Sequence, residues 1–263
     1  MRLNADYHTH TVYSHGKGSV KDNVKAAIER GLETVGIADH CTANFMYGIK
    51  RRNIDKYIAE IDSVKRLYDG LIDIKTGIEL NLTGLDGSVD MPCGKKFDIV
   101  IMGYHKAVIP RDFHTLFTFA SARFWEEKIT RAYMRAVQRN DIDILAHAGY
   151  GVPVNYEKVA RACADYGTLF EINNKHGELT ADNLRAAAGT SVRFVVSSDA
   201  HRPENVGLAQ NALSLIEHAG LSADSIINVT EVQYEICYRH RTFGRGAVEG
   251  ADKACGYRIF LCR

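Results

Sequence analysis

Seven short apolar segments of this chain each end in a residue type that binds divalent metals. They read LNADYHTH with His8 and His10, VGIADH with His40, KTGIEL with Glu79, IVIMGYH with His105, ILAHAG with His147, LFEINN with Glu171, and FVVSSDAH with Asp199 and His201. A strand repeats every two residues, so His8 and His10 point to the same side. Ligand types at the ends of successive strands converge only if the sheet closes on itself. The pattern therefore predicts a barrel with a metal site at one mouth.

Helices fill the intervals. Ser19 with Asp22 three residues later forms a capping-box pattern that opens a helix carrying Val24, Ala27 and Ile28 and stopping at Gly31. Asn53 and Gly70 bracket a longer helix, Asn155 and Gly167 another, and Thr180 and Gly189 a third. One mostly helical stretch is expected from about Thr115 to Gln138, packing through Phe117, Phe124, Ile129, Tyr133 and Val137. Val206 to His218 reads as a helix, and a last one is expected to begin near Thr230. Strand and helix alternate throughout, which implies parallel strands with right-handed crossovers. The expected architecture is α/β, a single-domain (β/α)7 TIM-like barrel occupying residues 1–240. Residues 241–263 lack clear periodicity and stand as an unassigned C-terminal tail.

A net charge of +1 argues against the broad basic field on which non-specific nucleic-acid binding relies. The six cysteines are widely spaced and form no CxxC pair, the pattern of reduced thiols in a cytosolic protein. The N-terminal residues show no basic stretch followed by an apolar run, and no segment reaches the roughly 18 apolar residues of a membrane span. A cytoplasmic protein without a membrane partner is expected, with homo-oligomerisation left open.

The donor set exceeds what one cation uses. Catalytic zinc takes three protein ligands plus water, whereas His8, His10, His15, His40, Glu79, His105, His147, Asp199 and His201 are all candidates. Two or three ions are implied. A nitrogen-rich set without thiolate suits Zn²⁺ first, with Mn²⁺ or Fe²⁺ as alternatives, and disfavours Mg²⁺ and Ca²⁺. Glu79 is the expected bridge, because a carboxylate has two oxygens to share between cations. Asp6 shares the side of His8 and His10 by strand period, deeper in the barrel, where it is placed either to orient one of their rings or to pair as an ordinary buried acid near the barrel floor.

These motifs resemble the polymerase and histidinol phosphatase (PHP) superfamily. The likeness is carried by DYHTH (His8, His10), ADH (Asp39, His40), GIEL (Glu79), GYH (His105), AHAG (His147) and SDAH (Asp199, His201). GSVDMPCGKKFDIVIMGYH, LFEINN and IINV further resemble the YcdX-type branch of small stand-alone phosphatases. The resemblance spans about residues 3–236 and implies a distorted seven-stranded β/α barrel, the PHP fold, that hydrolyses phosphate esters at a trinuclear cluster with a metal-bound hydroxide. By motif position one ion is held by His8, His10, Glu79 and Asp199, a second by Glu79, His105 and His147, and a third by His15, His40 and His201. His15 departs from the branch pattern, in which the histidine lies one residue further on. Glu171 matches an ExN position and is expected behind the ligands or facing substrate.

The expected activity is a phosphatase acting on a small phosphomonoester, with Glu79, Asp199 and His201 as the catalytic group. Lys17, Lys106, Lys175 and Arg202 lie beside the motifs and are candidate phosphate contacts. Histidinol-phosphate phosphatase is a narrower variant, and a PHP-type exonuclease or phosphodiesterase is the nucleic-acid alternative. An amidohydrolase is disfavoured because its bridging residue lies on the fourth strand, where this chain has His105. A scaffold that has lost catalysis is disfavoured because no ligand is missing. His176 could touch substrate, while His114, His218 and His240 fall outside the motifs.

Overall fold

The computed structural model describes residues 1–231, and over that span the alternation of strand and helix wraps into a ring. The chain begins with β1 (Arg2–Leu3) and β2 (Ala5–Thr9), followed by α1 (Val20–Glu29), β3 (Thr34–Ile37), α2 (Ile54–Leu67) and β4 (Asp73–Asn81). Next come β5 (Ile99–Gly103), α3 (Phe113–Ala120), α4 (Glu126–Arg139), β6 (Ile144–Leu145) and α5 (Tyr156–Tyr166). The last elements are β7 (Leu169–Asn173), α6 (Ala181–Ala188), β8 (Phe194–Ser197), α7 (Gln210–Ala219) and β9 (Val229–Thr230).

Strands β2 to β8 form one sheet in chain order with every neighbouring pair parallel. Its outer face packs against the helices through residues such as Ile37, Ile78, Leu80, Met102 and Phe170. A smaller cluster of Ala38, Ile99, Ile101, Ile144, Ala146 and Val195 forms a second apolar core. Ile99 and Ile101 alternate with residues of the outer core along β5, so this second core fills the ring beneath the ligands.

The ring closes between β2 and β8. At the carboxyl end the strands meet directly, with Thr9 bridged to Ala200 and the His10 amide donating to Ala200 O at 2.8 Å. Lower down the buried Asn228 side chain fills the gap. Its Nδ2 donates to Ala5 O and Val196 O, both at 2.7 Å, while its Oδ1 accepts from the Val196 amide at 2.9 Å. One amide thus supplies the pairing that an eighth strand would give. Beside it β1 pairs antiparallel with β9.

Several helix expectations hold and others need correction. Ser19 and Asp22 make the predicted capping box, and Asn155 and Thr180 cap α5 and α6. Asn53 precedes α2, but as part of a 3₁₀ turn, and its side chain makes no capping bond. The stretch from Thr115 to Gln138 is two helices broken by a 3₁₀ turn at Ala122–Phe124. That break turns Phe117 and Phe124 outward, at 53% and 67% exposure, whereas Ile129, Tyr133 and Val137 are buried. Thr230 sits in β9 and starts no helix there, because it is paired with Arg2. The rest of that expected helix and the tail at 241–263 lie outside the described residues. No described helix is long and apolar enough to cross a membrane.

Candidate metal centre

Each ligand type sits at, or just past, the carboxyl end of its strand, so closing the ring brings the set together at one mouth. Glu79 stands at the centre, fully buried. Its Oε1 lies 3.4 Å from His8 Nε2, 3.0 Å from His105 Nε2 and 2.8 Å from His147 Nε2. Its Oε2 lies 2.7 Å from His40 Nδ1 and 3.6 Å from His10 Nε2. Asp199 faces the same space from β8, with Oδ1 3.2 Å from His10 Nε2 and 3.3 Å from His201 Nδ1. Four overlapping donor groups result: His10, His40 and His201; His8, Glu79 and His147; His8, His10 and Asp199; and His40, Glu79 and His105.

The backbone is bent to make this possible. His147 and Asp199 both take positive φ, 28° and 50°, a region that costs a residue with a Cβ about 1–3 kcal/mol. Gly103, at the end of β5, leaves room for a ring: a Cβ there would stand 2.5 Å from His147 Cε1.

The electrostatics fit cations. Burial, then the charges of His40 and His201, hold His10 well below the usual imidazole range. Burial is also the main reason His40 is lowered to about 3. Partial desolvation, then the charges of His201 and Lys175, lower His15, whose other side is open to solvent, to about 4. These rings are neutral near pH 7, as a nitrogen ligand must be. Burial pushes Glu79 upward, but the imidazoles of His105, His40 and His8 outweigh it and hold the carboxyl well below its ordinary range. His8 behaves conversely: burial lowers it, yet Glu79, Glu171 and Asp199 together raise it well above. The mouth thus demands positive charge that its rings supply poorly.

Unpartnered atoms mark the same place. Among the described residues, His10 Nδ1, His40 Nδ1, Glu79 Oε2, His147 Nδ1 and His201 Nε2 are buried without a hydrogen-bond partner. His40 Nδ1 and Glu79 Oε2 are close but not aligned for a hydrogen bond. Two nitrogens, His8 Nε2 and His10 Nε2, face each other at 3.1 Å. Buried polar groups left in this way cost about 1–3 kcal/mol each, and a cation at the mouth satisfies those that face each other there, His40 Nδ1 and Glu79 Oε2. The residues present therefore fit divalent metal ions.

Behind the ligands, His8 Nδ1 meets Glu171 Oε1 at 2.8 Å, while Glu171 Oε2 accepts from the His147 amide and from Asn173 Nδ2, each at 2.8 Å. Asp6 does not orient a ring. Between Asp6 and Thr9 the register places three residues of β2 against two of β3, a bulge that turns Asp6 to the face opposite His8 and His10. There it accepts from the Ser198 amide (3.1 Å), the Ser198 hydroxyl (2.5 Å) and the Gly207 amide (2.8 Å). Asp39, beside His40, is buried and accepts from the Thr11 amide (2.8 Å), the Thr11 hydroxyl (2.6 Å), the Ser14 amide (3.1 Å) and the Ser14 hydroxyl. It ties down the loop that delivers His15.

His15 is exposed, its ring centroid 5.0 Å from that of His40 and 4.1 Å from that of His201, and it belongs to none of the four donor groups. Of the candidate phosphate contacts, Lys175 reaches the centre, with Nζ 3.1 Å from His201 Nδ1 and 3.4 Å from Asp199 Oδ1. Arg202 turns to Glu204 at 3.4 Å, and the Lys17 and Lys106 side chains are exposed. Sequence reasoning gave little weight to His176, whose Nε2 lies 3.0 Å from Asp199 Oδ2. It missed Tyr47 and Tyr150, whose rings lie 4.4 Å from His15 and 4.0 Å from His176. Their only sequence signal was a place in the loops that follow β3 and β6. Cys41 turns away from the centre, its Sγ donating to Asp90 O at 3.1 Å.

A family model described as the PHP domain matches residues 6–182. A protein of Thermoanaerobacter sp. (strain X514) named a probable phosphatase is 30% identical over 243 residues, 87% of this chain and 91% of that one. A probable phosphatase of Shewanella sp. (strain MR-4) is 28% identical over 245 residues, 87% of this chain and 88% of its own. Among solved structures, a histidinol phosphate phosphatase from Lactococcus lactis, complexed with zinc, L-histidinol and phosphate, shares the fold at TM-score 0.61 and 20% identity, covering 84% of this chain and 95% of that one.

Proposed function

This chain belongs to the PHP domain family, and from that premise we propose that it is a metal-dependent phosphatase hydrolysing small phosphomonoesters at the histidine-ringed mouth. The observation that carries the reading is Glu79, one buried carboxylate facing five imidazoles within 3.6 Å. The names of the relatives agree with it, since those described above are called probable phosphatases.

In this reading one ion is held by His8, His10, Glu79 and Asp199, a second by Glu79, His105 and His147, and a third by His15, His40 and His201. The convergence of His8, His10 and Asp199 as one donor group supports the first assignment. Zinc suits the nitrogen-rich set best, with manganese or iron(II) next. Bound ions supply Lewis acidity, which lowers the pKa of a coordinated water and offsets charge on the phosphoryl oxygens.

The chain's own residues do the rest. Glu79 and Asp199 keep the net charge of the mouth low and hold the ligand rings in place. Glu171 fixes the His8 ring through Nδ1, leaving Nε2 directed inward. Lys175 stands where an ammonium can pair with a phosphate monoester dianion, and Lys17, Lys106 and Arg202 are the further candidate contacts by their places beside the motifs. Tyr47, packed on His15 and His40, and Tyr150, packed on His147 and His176, stand beside the same rings, where they would bound the ester group.

The test is metal analysis of protein purified without added metal, followed by a panel of phosphomonoesters and phosphodiesters assayed with Zn²⁺, Mn²⁺ and Mg²⁺ in turn. Turnover of monoesters that is abolished by chelation and restored by zinc is expected. Cleavage confined to diesters or single-stranded DNA would instead establish the nuclease alternative.

A further inference from the structure

The segment between β4 and β5 carries an acid that the reaction scheme leaves unused. Asp90 is half-buried, and its carboxylate faces Asn81, the last residue of β4. Oδ1 accepts from the Asn81 amide at 2.7 Å, while Oδ2 accepts from Asn81 Nδ2 at 2.8 Å and from the Ala43 amide at 2.7 Å. Asn81 Nδ2 also donates to Cys41 O at 3.4 Å. Both partners of that NH₂ group are pure acceptors, so the amide has one allowed orientation. Its Oδ1 must face outward, and there it meets His105 Nδ1 at 2.9 Å.

A carbonyl oxygen opposite Nδ1 fixes the proton on that nitrogen and leaves the lone pair on Nε2, which lies 3.0 Å from Glu79 Oε1. The contrast with His10 and His147 is direct: both face the centre through Nε2, and their Nδ1 atoms have no hydrogen-bond partner among the described residues. Without Asp90 the Asn81 amide could rotate by half a turn and present NH₂ to the ring, removing the acceptor that sets the tautomer.

We propose that Asp90 is a positioning residue for the metal ligand His105, acting through the side-chain amide of Asn81. The proposal rests on the metal-binding reading of the mouth, and it assigns a task to a residue in the segment that follows β4.

The test is titration of the metal-free chain with Co²⁺, read as visible absorption and as competition with a chelator, in the parent, Asp90→Asn, Asn81→Asp, and both together. Folding of each is checked by circular dichroism and melting without metal. Each single change should weaken cobalt binding about 10- to 100-fold and alter the absorption bands, as loss of a group behind a metal ligand does. The double change should recover most of that loss: the carboxylate introduced at position 81 accepts from His105, and the amide introduced at position 90 donates to it. A role limited to holding the Ala43 loop predicts no such recovery, because the Ala43 contact is lost in both. Parent-like cobalt affinity and spectrum in a folded Asp90→Asn chain would overturn the proposal, as would a double variant no better than the weaker single. If Asp90→Asn does not fold, Asn81→Leu, which removes the amide and the acceptor opposite His105 together, decides alone, and parent-like cobalt binding there sinks it. A parent that binds cobalt yet hydrolyses no ester defeats the phosphatase reading and leaves this inference standing.

Discussion

Of the five buried carboxylates in the described barrel, Glu171 meets both an imidazole and neutral donors, and the other four divide into two kinds. Asp6 and Asp39 are fully buried and are surrounded by amides and hydroxyls, which satisfy them. Burial raises both above the usual carboxylate range despite those bonds. Glu79 and Asp199 are equally deep but face imidazoles, and although burial pushes them up, the surrounding rings hold both well below the range. An acid ringed by neutral donors is a finished structural joint. An acid ringed by imidazole nitrogens makes, with them, a donor set suited to a cation.

The largest effect should separate the two kinds by activity. Glu79→Gln is expected to lower turnover by about 10³-fold or more, equivalent to roughly 4 kcal/mol of barrier, and to release bound metal. Asp6→Asn should leave the metal content near that of the parent. Elemental analysis alongside phosphomonoester kinetics checks both, and a Glu79→Gln chain with full metal and full rate breaks the distinction.

Stability should divide them the other way. Asp6→Ala strands the Ser198 and Gly207 amides in the seam between β2 and β8, and at about 1–3 kcal/mol per unpaired group the loss should be roughly 3 kcal/mol. Denaturant melts of metal-free protein measure it, and a change below about 1 kcal/mol would mean that water replaces the carboxylate. Metal withdrawal gives the next effect. An ion at a hundred times its dissociation constant stabilises the fold by about 2.7 kcal/mol, so melting should depend on zinc concentration in the parent and lose that dependence in Glu79→Gln.

Much of this was legible from the chain alone, for a physical reason. A ligand type at a strand end is a local pattern, and the closed sheet gathers His8, His10, His40, Glu79, His105, His147, Asp199 and His201 by repeating it. The Ser19 capping box is local in the same way. Asp6 was misread because a single bulge shifts strand period by one, and nothing in DYHTH announces the extra residue. Asn228 closing the ring and Asp90 behind His105 are long-range contacts by residues that ordinarily occupy turns. The break after α3 was hidden because the apolar positions of 115–138 keep a helical period across it.

The smallest effect isolates burial from donor chemistry. Asp22 accepts from the amide of one serine, Ser19, at 2.9 Å and from its hydroxyl at 2.7 Å, the same pair of donors that Ser198 gives Asp6. Yet Asp22 lies at the surface, and the Ser19 bonds pull its pKa below 3.8, whereas burial drives Asp6 above that value. Folding that lowers an acid's pKa gains stability from the ionised form, so the Asp22 contribution is fully present above pH 3.8 and is lost as pH falls through its lowered folded value. Ser19→Ala should therefore cost about 1 kcal/mol near neutral pH, as loss of a capping serine does, with part of that difference vanishing on acidification. Melts of parent and variant from pH 6 down to about pH 3 check the sign. A gap that stays constant as the pH falls would mean that the hydroxyl alone caps α1, and that Asp22 offers no surface counterpart to the joint at Asp6.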